Sequence, residues 1–266
     1  DRAGNETTIL ETADISGLPD NWQWPESVKV KAADAQTDIY GVVYRPLHFS
    51  PELSYPILDV SLTLKEGCFF HAGSFTNNPG VGFYYFAASA LAELGFIVVD
   101  LYGRGTSSRH RNFSADPHPE LPDSNNQADR IAGIRQLAER YPYMDINRVG
   151  VGGNASTAAP VSGLFGHPDF YKVGVSDSAS IDMRLTSAFW GEAYGDLPHT
   201  EDNLQHTCSY AKNLKGKLLI MHGMLRVAVN VAHSFSVIDA LQKANKDFDM
   251  LILPNDAYPM SSYALR

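Results

Sequence analysis

The sequence predicts an α/β fold, a doubly wound and mostly parallel sheet with helices on both faces. Two observations carry this prediction: strands in the later part of the chain are short and apolar throughout, and they alternate with helical segments. A third observation concerns the first strands, in which apolar and polar residues alternate. That pattern is typical of antiparallel strands, so we expect antiparallel amino-terminal strands at one edge of the sheet.

The amino-terminal part divides into a lead-in and the first strands. Residues 1–25 are polar and rich in turn-forming residues, and we interpret them as a lead-in or linker before a folded domain over residues 26–266. Strands are predicted at Val28–Lys31, Ile39–Tyr44 and Pro56–Leu64.

The middle of the chain alternates helix and strand. A helix is predicted over Gly82–Gly95, followed by a buried strand at Phe96–Leu101 and a long loop at 103–124. A second, amphipathic helix is predicted over Gln127–Arg140. The apolar face of the first helix is expected to comprise Phe83, Phe86, Ala90, Leu91 and Leu94.

The second half repeats this alternation, which completes the parallel sheet. The turn between its first strand and first helix consists of small residues. Strands are predicted at Arg148–Gly152, Val173–Ser176, Lys217–His222 and Phe248–Leu253, and helices at Ala155–Phe165 and Val231–Ala244. Binding and catalytic sites of such sheets lie beyond the carboxyl ends of the strands, so the candidate residues are sought there.

The composition excludes several classes of function. The 266 residues carry a net charge of -9, so a dominant basic surface for nucleic acid is not expected. We find no apolar run long enough to span a bilayer. The two cysteines form no CxxC motif and the nine histidines show no HExxH or other ligand spacing, so neither a metal nor a cofactor is expected.

Seven segments carry a family pattern that runs almost from end to end of the chain: residues 24–46, 91–106, 131–151, 167–176, 181–185, 213–223 and 238–255. These segments resemble the prolyl oligopeptidase (S9) family, and within it the catalytic domain of dipeptidyl-peptidase-IV-like members. The resemblance implies an α/β-hydrolase fold. The lead-in at 10–19 is similar to the sequence that joins the β-propeller of that family to its hydrolase domain.

The resemblance implies a definite set of catalytic groups. A serine stands on a sharp turn between a strand and a helix, a histidine activates it, and an aspartate orients the histidine. Backbone N–H groups and a tyrosine hydroxyl stabilise the oxyanion in this family.

The nucleophile position holds a residue that cannot attack a carbonyl. The family pattern R-V-G-I-Y-G-H-S-G-G-G aligns without gaps on residues 148–158, and its serine falls on Ala155. The two glycines that follow the serine correspond to Ser156 and Thr157, so backbone packing at the turn is also expected to change.

The other catalytic positions have changed as well. After the strand that ends in His222, the family aspartate corresponds to Arg226 and its substrate-contacting asparagine to Ala228. The catalytic histidine corresponds to Tyr258, and the oxyanion tyrosine to Leu62. Four changes at separate places predict that the triad is degenerate and that the peptidase mechanism is lost.

Three readings of function remain open at this point. The domain is a pseudoenzyme that binds a small molecule or a protein partner, with oligomerisation possible. Alternatively, it is an enzyme with a recast pocket that performs cofactor-independent cyclisation, isomerisation or elimination on a small apolar molecule. A weaker third reading keeps hydrolysis through Ser156, whose plainer role is to occupy the start of a helix.

The candidate site follows from these readings. Arg226 and Tyr258 are expected to lie side by side beyond the strand ends and, with Ser156, are the candidate catalytic residues. The candidate binding residues are Asn154, Ala155, Leu62, Ala228 and His71. His222 is expected to be a packed structural histidine, and residues 103–106 are expected only to shape a loop.

Overall fold

The described part of the chain forms one mostly parallel sheet of eight strands, seen in a computed structural model. The residues that the structure describes are 8, 11–12, 14–61, 82–106, 113, 126–154, 158–182, 185, 207–227 and 229–257. The strands are β1 (Glu26–Lys31), β2 (Asp38–Tyr44), β3 (Tyr55–Ser61), β4 (Ile97–Tyr102), β5 (Met144–Asn154), β6 (Tyr171–Asp177), β7 (Lys217–Gly223) and β8 (Asp249–Leu253).

The sheet confirms the predicted topology. Its strand order is β1-β2-β4-β3-β5-β6-β7-β8. The first two strands pair antiparallel with each other, and β2 pairs antiparallel with β4. Every other pairing is parallel. The carboxyl ends of β3 to β8 therefore meet at one edge of the sheet, which we call the carboxyl edge.

Helices cover both faces of this sheet. They are α1 (Gly82–Glu93), α2 (Gln127–Arg140), α3 (Ala159–Gly166) and α4 (Ala232–Lys243), together with a 3-10 helix at Thr207–Asn213. The larger core cluster contains buried residues of α2, α3, α4 and the 3-10 helix, whereas the smaller cluster contains those of α1. Burial of these apolar side chains supplies the main driving force for folding.

The apolar face predicted for α1 is partly wrong. Ala90 is exposed and Leu94 is 73% exposed, while Ala88 and Ala92 are buried. These two alanines stand four residues apart and share one helix face, and their small side chains let α1 pack closely on the sheet. Leu94 lies beyond the last helical residue, in a turn that Gly95 closes with a φ of +93°.

The helix after β5 begins later than the sequence predicts. The predicted start was Ala155, whereas α3 begins at Ala159 and has Pro160 in its first turn. Proline favours this position because it has no N–H to leave unpaired and its φ is already helical. β5 in turn extends from Met144 to Asn154, well beyond the predicted Arg148–Gly152.

The lead-in contacts the domain within its described part. Trp22 is half-buried and packs against the smaller core cluster. The side-chain amide of Asn21 donates to the carbonyl oxygen of Leu47 at 3.1 Å. Residues near 20 therefore pack as part of the domain surface, although the sequence pattern there resembles a linker.

A buried ion pair ties α2 to the sheet. The Arg130 guanidinium donates to the carboxylate of Asp59 on β3, and the Tyr171 hydroxyl donates to the other oxygen of Asp59 at 2.6 Å. A second carboxyl group, that of Asp100 on β4, is also buried. Burial, reinforced by the charge of Asp59, raises the pKa of Asp100 to about 7 even though Arg130 opposes the shift.

Candidate functional site

The candidate site lies at the carboxyl edge, where four consecutive parallel strands end. β5 ends at Asn154, β6 at Asp177, β7 at Gly223 and β8 at Leu253. Asn154 and Asp177 are register partners, which fixes the first two of these ends side by side. Asn154, the last residue of β5, therefore lies at this edge of the sheet.

Arg226 occupies the loop after β7. Its backbone N–H donates to the carbonyl of Gly223 at 3.1 Å, which closes a tight turn just past the strand. The residue is only 9% exposed, whereas Leu225 is 58% and Val227 is 97% exposed. The turn therefore directs the charged side chain inward and the apolar side chains on either side of it outward.

The loops after β7 and β8 are packed against each other. The N–H of Met224 donates to Leu253 O at 2.9 Å, and the N–H of Leu225 donates to Asp256 O at 3.0 Å. Gly223 is required at this contact, because a Cβ there would lie 2.4 Å from the Asp256 carbonyl oxygen. The loop that carries Arg226 is thereby joined to the loop that leads to position 258.

The end of β6 brings a buried carboxylate and a hydroxyl to the same edge. Asp177 and Ser178 are both buried, and the Ser178 hydroxyl donates to Asp177 Oδ1 at 2.9 Å. Ser178 has a φ of 51°, which is in the left-handed region. This conformation is energetically unfavourable for residues other than glycine. A backbone bond from Ser178 N–H to Met221 O, at 2.8 Å, holds it there.

Two buried histidines complete the interior side of the edge. The ring of His222 contacts Ser234 Oγ at 2.8 Å and the carbonyl of Val229 at 3.1 Å. Nδ1 of His233 accepts from the backbone N–H groups of Ile181 and Asp182. Since both nitrogens of His222 are bonded and the ring is fully buried, the prediction that it is a packed structural histidine is confirmed.

The electrostatics of the edge keep these histidines neutral. Burial lowers the pKa of His222 and the positive charge of Arg226 acts in the same direction, whereas the hydrogen bond to the Val229 carbonyl opposes the shift. Burial also lowers the pKa of His233, although the carboxylate of Asp182 opposes that shift. Four charged side chains, namely Asp177, Asp182, Arg226 and Asp256, are buried in the described part of this region.

The loop after β4 has the structural role that the sequence predicts. Arg104 donates to both carboxylate oxygens of Asp129 through its backbone N–H, Nε and Nη2, at 2.9, 3.0 and 2.9 Å. Gly105 has a φ of +90°, which explains the glycine, and the Thr106 hydroxyl donates to Gly103 O. These bonds fix the loop to the start of α2.

The described residues include two of the predicted site residues. Arg226 is in place after β7, and the backbone of Asn154 ends β5. β3 is described up to Ser61, the residue before Leu62. The predicted neighbourhood of Arg226 and Tyr258 can be followed as far as Ala257. Ala155, Ser156, Leu62, His71, Ala228 and Tyr258 all lie outside the described residues.

Sequence reasoning missed several polar residues of the edge, above all Asp177, Asp182, His233 and Asp256. One signal was present for Asp177 and Ser178, because they directly follow the apolar residues of β6. His233 gave no signal, since its partners lie about fifty residues earlier in the chain. Position relative to a strand end can be read from sequence, whereas a contact between distant loops cannot.

The described residues include neither a membrane-spanning helix nor a cluster of metal ligands. No helix among them is both long and apolar enough to cross a membrane. Nor do the described histidines, cysteines, aspartates and glutamates form a group of three or more that could hold a metal ion.

The chain is similar to proteins of one peptidase family. Residues 82–260 match the model of the prolyl oligopeptidase family. Human dipeptidyl peptidase 8 is 26% identical over 265 residues, which cover 94% of this chain and 28% of that protein. Mouse inactive dipeptidyl peptidase 10 is 26% identical over 170 residues, or 62% of this chain and 21% of that protein.

A solved structure supports the same relationship at the level of the fold. A putative dipeptidyl aminopeptidase IV from Bacteroides ovatus superposes with a TM-score of 0.75 and 27% sequence identity, covering 90% of this chain and 34% of that one. This chain thus spans about a third or less of the length of the proteins that it matches.

Proposed function

Because the chain belongs to the prolyl oligopeptidase family, we propose that it is a degenerate member whose hydrolase domain binds a ligand or partner and does not cleave peptides. The family assignment supplies the fold and the catalytic positions. The proposal concerns what now occupies those positions: Ala155, Arg226 and Tyr258 in place of serine, aspartate and histidine.

The observation that carries this proposal is Arg226. The triad acid must accept a hydrogen bond from the histidine and stabilise the imidazolium that forms during catalysis. A guanidinium can only donate hydrogen bonds, and its charge opposes an imidazolium. Arg226 already acts in this direction on His222, whose pKa its charge helps to lower. A catalytic histidine beside this loop would be disfavoured as a general base for the same reason.

The other two positions support the proposal from the sequence. Ala155 has a methyl group, which cannot form an acyl intermediate. Tyr258 has a phenol, which stays protonated at neutral pH because its usual pKa is about 10, so it cannot take up the proton that the triad histidine accepts. Triad residues act as a unit, so the loss of all three removes the reaction pathway through an acyl-enzyme intermediate and does not merely lower its rate.

The relatives are consistent with a family in which the fold outlasts the activity. One of them bears the name inactive dipeptidyl peptidase 10, whereas others bear the names of dipeptidyl peptidases. Fold alone does not determine function, and the site residues must decide it. On that ground we assign this chain to the group that uses the hydrolase fold for binding, with a small molecule or a protein as the bound partner.

A second candidate is an enzyme that works without a covalent intermediate. The observation in its favour is that Arg226 is buried, whereas a residue that drifted after loss of function would be expected to project into solvent. Arg226, Tyr258 and Asn154 together would bind a carboxylate or carbonyl oxygen and stabilise charge there. Spectra of a bound small molecule before and after incubation separate the candidates, because only an enzyme converts it.

Hydrolysis of a Gly-Pro chromogenic amide tests the proposal. We expect no turnover above that of the buffer, apart from a small rate that residual oxyanion stabilisation can supply. The matched variant is Ser156→Ala, which removes the serine hydroxyl next to Ala155. Turnover by the wild-type chain that disappears in Ser156→Ala would show that hydrolysis had moved to Ser156 and would refute the proposal.

A further inference from the structure

We propose that His233 is a pH-sensitive clamp: its neutral ring holds the loop after β6 against the start of α4, and its protonation releases that loop. The loop in question comprises Ser178–Asp182, which we call the β6 loop. It forms part of the carboxyl edge beside β7. The inference does not depend on which ligand or reaction, if any, uses the site.

The geometry fixes the protonation state of the clamp. Nδ1 of His233 accepts from the N–H of Ile181 at 3.2 Å and from the N–H of Asp182 at 3.1 Å. A backbone N–H can only donate, so Nδ1 must present a lone pair and the proton of the neutral ring must be on Nε2. A second proton would sit on Nδ1 and point at two other N–H groups.

Burial makes this conflict costly. His233 is only 1% exposed, so water does not replace the lost acceptor while the loop stays closed. Two backbone donors would be left without a partner, and a positive charge would be buried at the same time. Movement of the loop away from α4 removes both the cost of the two unpaired N–H groups and the cost of the buried charge, because water then reaches the ring and the two N–H groups.

The neighbouring histidine lacks this property. Nε2 of His222 faces the carbonyl of Val229, so it carries the proton, and Nδ1 accepts from the hydroxyl of Ser234. A hydroxyl can turn and accept instead of donate. His222 can therefore take up a second proton and keep both partners, whereas His233 cannot. The switch accordingly resides in His233.

The charged and titratable groups around His233 set the direction of its response. Burial is the largest influence and lowers the pKa of His233, and His222 of β7 lowers it too. The carboxylate of Asp182 on the β6 loop and a hydrogen bond to the Leu185 backbone raise it, and the net shift is downward. Arg226 acts on the adjacent His222. Asp177 ends β6 and is buried. The 3-10 helix, which also packs on α4, contributes the partly buried Cys208 and Tyr210 and the exposed Lys212.

The sign of the pH effect follows from these shifts. The pKa of His233 is lower in the closed structure than the ordinary histidine value of 6.5, so an opened loop binds a proton more readily. The closed state is therefore fully favoured above this value and loses stability as the pH falls below it. Acidification opens the β6 loop while the rest of the sheet remains folded.

Hydrogen–deuterium exchange tests the clamp in the intact chain. Rates for the peptide containing Ile181 and Asp182 are compared at pH 7.5 and pH 5.0, after correction for the intrinsic pH dependence of exchange. We expect exchange at pH 5.0 to be up to about 30-fold faster relative to pH 7.5, since pH 5.0 lies about 1.5 units below the ordinary histidine pKa and each unit shifts a one-proton equilibrium tenfold. In His233→Asn, whose amide oxygen still accepts but does not titrate, we expect no such change.

The matched control is His48→Asn, which removes an exposed histidine and should leave the wild-type response intact. Equal protection of the two amides at both pH values in the wild-type chain would overturn the proposal, as would an unchanged pH response in His233→Asn. A second measurement needs no variant. The ¹⁵N shift of His233 Nδ1 at pH 7.5 should be that of an unprotonated nitrogen, and a protonated Nδ1 would equally overturn the clamp.

Discussion

At the scale of single residues, the chemistry of the carboxyl edge is set by the hydrogen bonds that each buried polar group can donate or accept. Arg226 illustrates this, because a guanidinium has only donors and a permanent charge. The turn at Gly223 keeps this charge inside the carboxyl edge. An aspartate in the same place would lower the energy of a neighbouring imidazolium, whereas Arg226 raises it.

Asp100 is a buried carboxyl group whose protonation is coupled to folding. Its pKa in the folded chain is about 7, against an ordinary value of 3.8, and burial is the main cause. Between these values the unfolded chain ionises Asp100 while the folded chain keeps the proton. Stability is therefore lost as the pH rises through this window, and the penalty is complete above pH 7.

We accordingly predict that Asp100→Asn stabilises the chain at pH 8 and has little effect at pH 4. The expected gain at pH 8 is on the order of 3 kcal/mol, measured as the change in the free energy of unfolding by denaturant titration. Asp169→Asn is the control, because Asp169 is exposed beside Lys215 and its pKa is shifted downward. A gain for Asp100→Asn that is the same at pH 4 and pH 8 would contradict the assignment.

Arg226 was singled out because the resemblance to the family pattern aligns it with the family aspartate, and the structure describes it in the loop after β7. Asp177 could have been found by counting from a strand, because it directly follows the apolar residues of β6. Such counting fails for His233, because the bond to Ile181 and Asp182 joins segments that only the folded chain brings together. Hydrogen-bond partners across loops leave no periodic pattern in the sequence.

At the scale of elements, the apolar runs predicted the strands well and one helix face poorly. A strand that is buried on both faces is apolar along its whole length, so the apolar runs predicted the bounds of β4, β6 and β7 within two residues at each end. Among the described side chains of α1, Ala88 and Ala92 are buried in the smaller core cluster and Leu91 packs against it, whereas Ala90 is exposed. Hydrophobic spacing alone therefore does not specify which side chains of a helix contact the sheet.

The contact between the loops after β7 and β8 depends on one glycine. A Cβ at position 223 would lie 2.4 Å from Asp256 O and 2.8 Å from the carbonyl carbon of Ala257. Both atoms are backbone, so the loop after β8 must move. We predict that Gly223→Ala lowers the free energy of unfolding by about 1–3 kcal/mol, the usual cost of overpacking.

Gly152→Ala is the matched control for this prediction. Its Cβ would find only Leu58 Cδ1, at 4.0 Å, so a change of less than about 1 kcal/mol is expected. Both variants are compared by urea denaturation. Equal stability of Gly223→Ala and the wild-type chain would mean that the two loops are not in tight contact, and the link between Arg226 and the loop that leads to Tyr258 would be lost.

At the scale of the whole molecule, the fold does not depend on the catalytic residues. The larger core cluster, the smaller cluster under α1 and the buried pair of Arg130 and Asp59 all lie within the sheet and its helices. The chain therefore retains the architecture of its family while the loops at the carboxyl edge diverge. The fold class could be predicted because apolar segments are spread along the whole sequence. The function of the site depends on a few residues, and their contacts cannot be predicted from a sequence pattern.

Covalent labelling by a fluorophosphonate shows whether the chain has an activated serine, because the probe reacts with such a serine whatever the peptide substrate. Intact-mass measurement should find no adduct on the wild-type chain. The single variant Ala155→Ser should also stay unlabelled, since a serine without its general base is not activated. The triple variant Ala155→Ser, Arg226→Asp, Tyr258→His restores the triad on the retained fold and should acquire one adduct. One adduct on the wild-type chain, abolished by Ser156→Ala, would contradict the account.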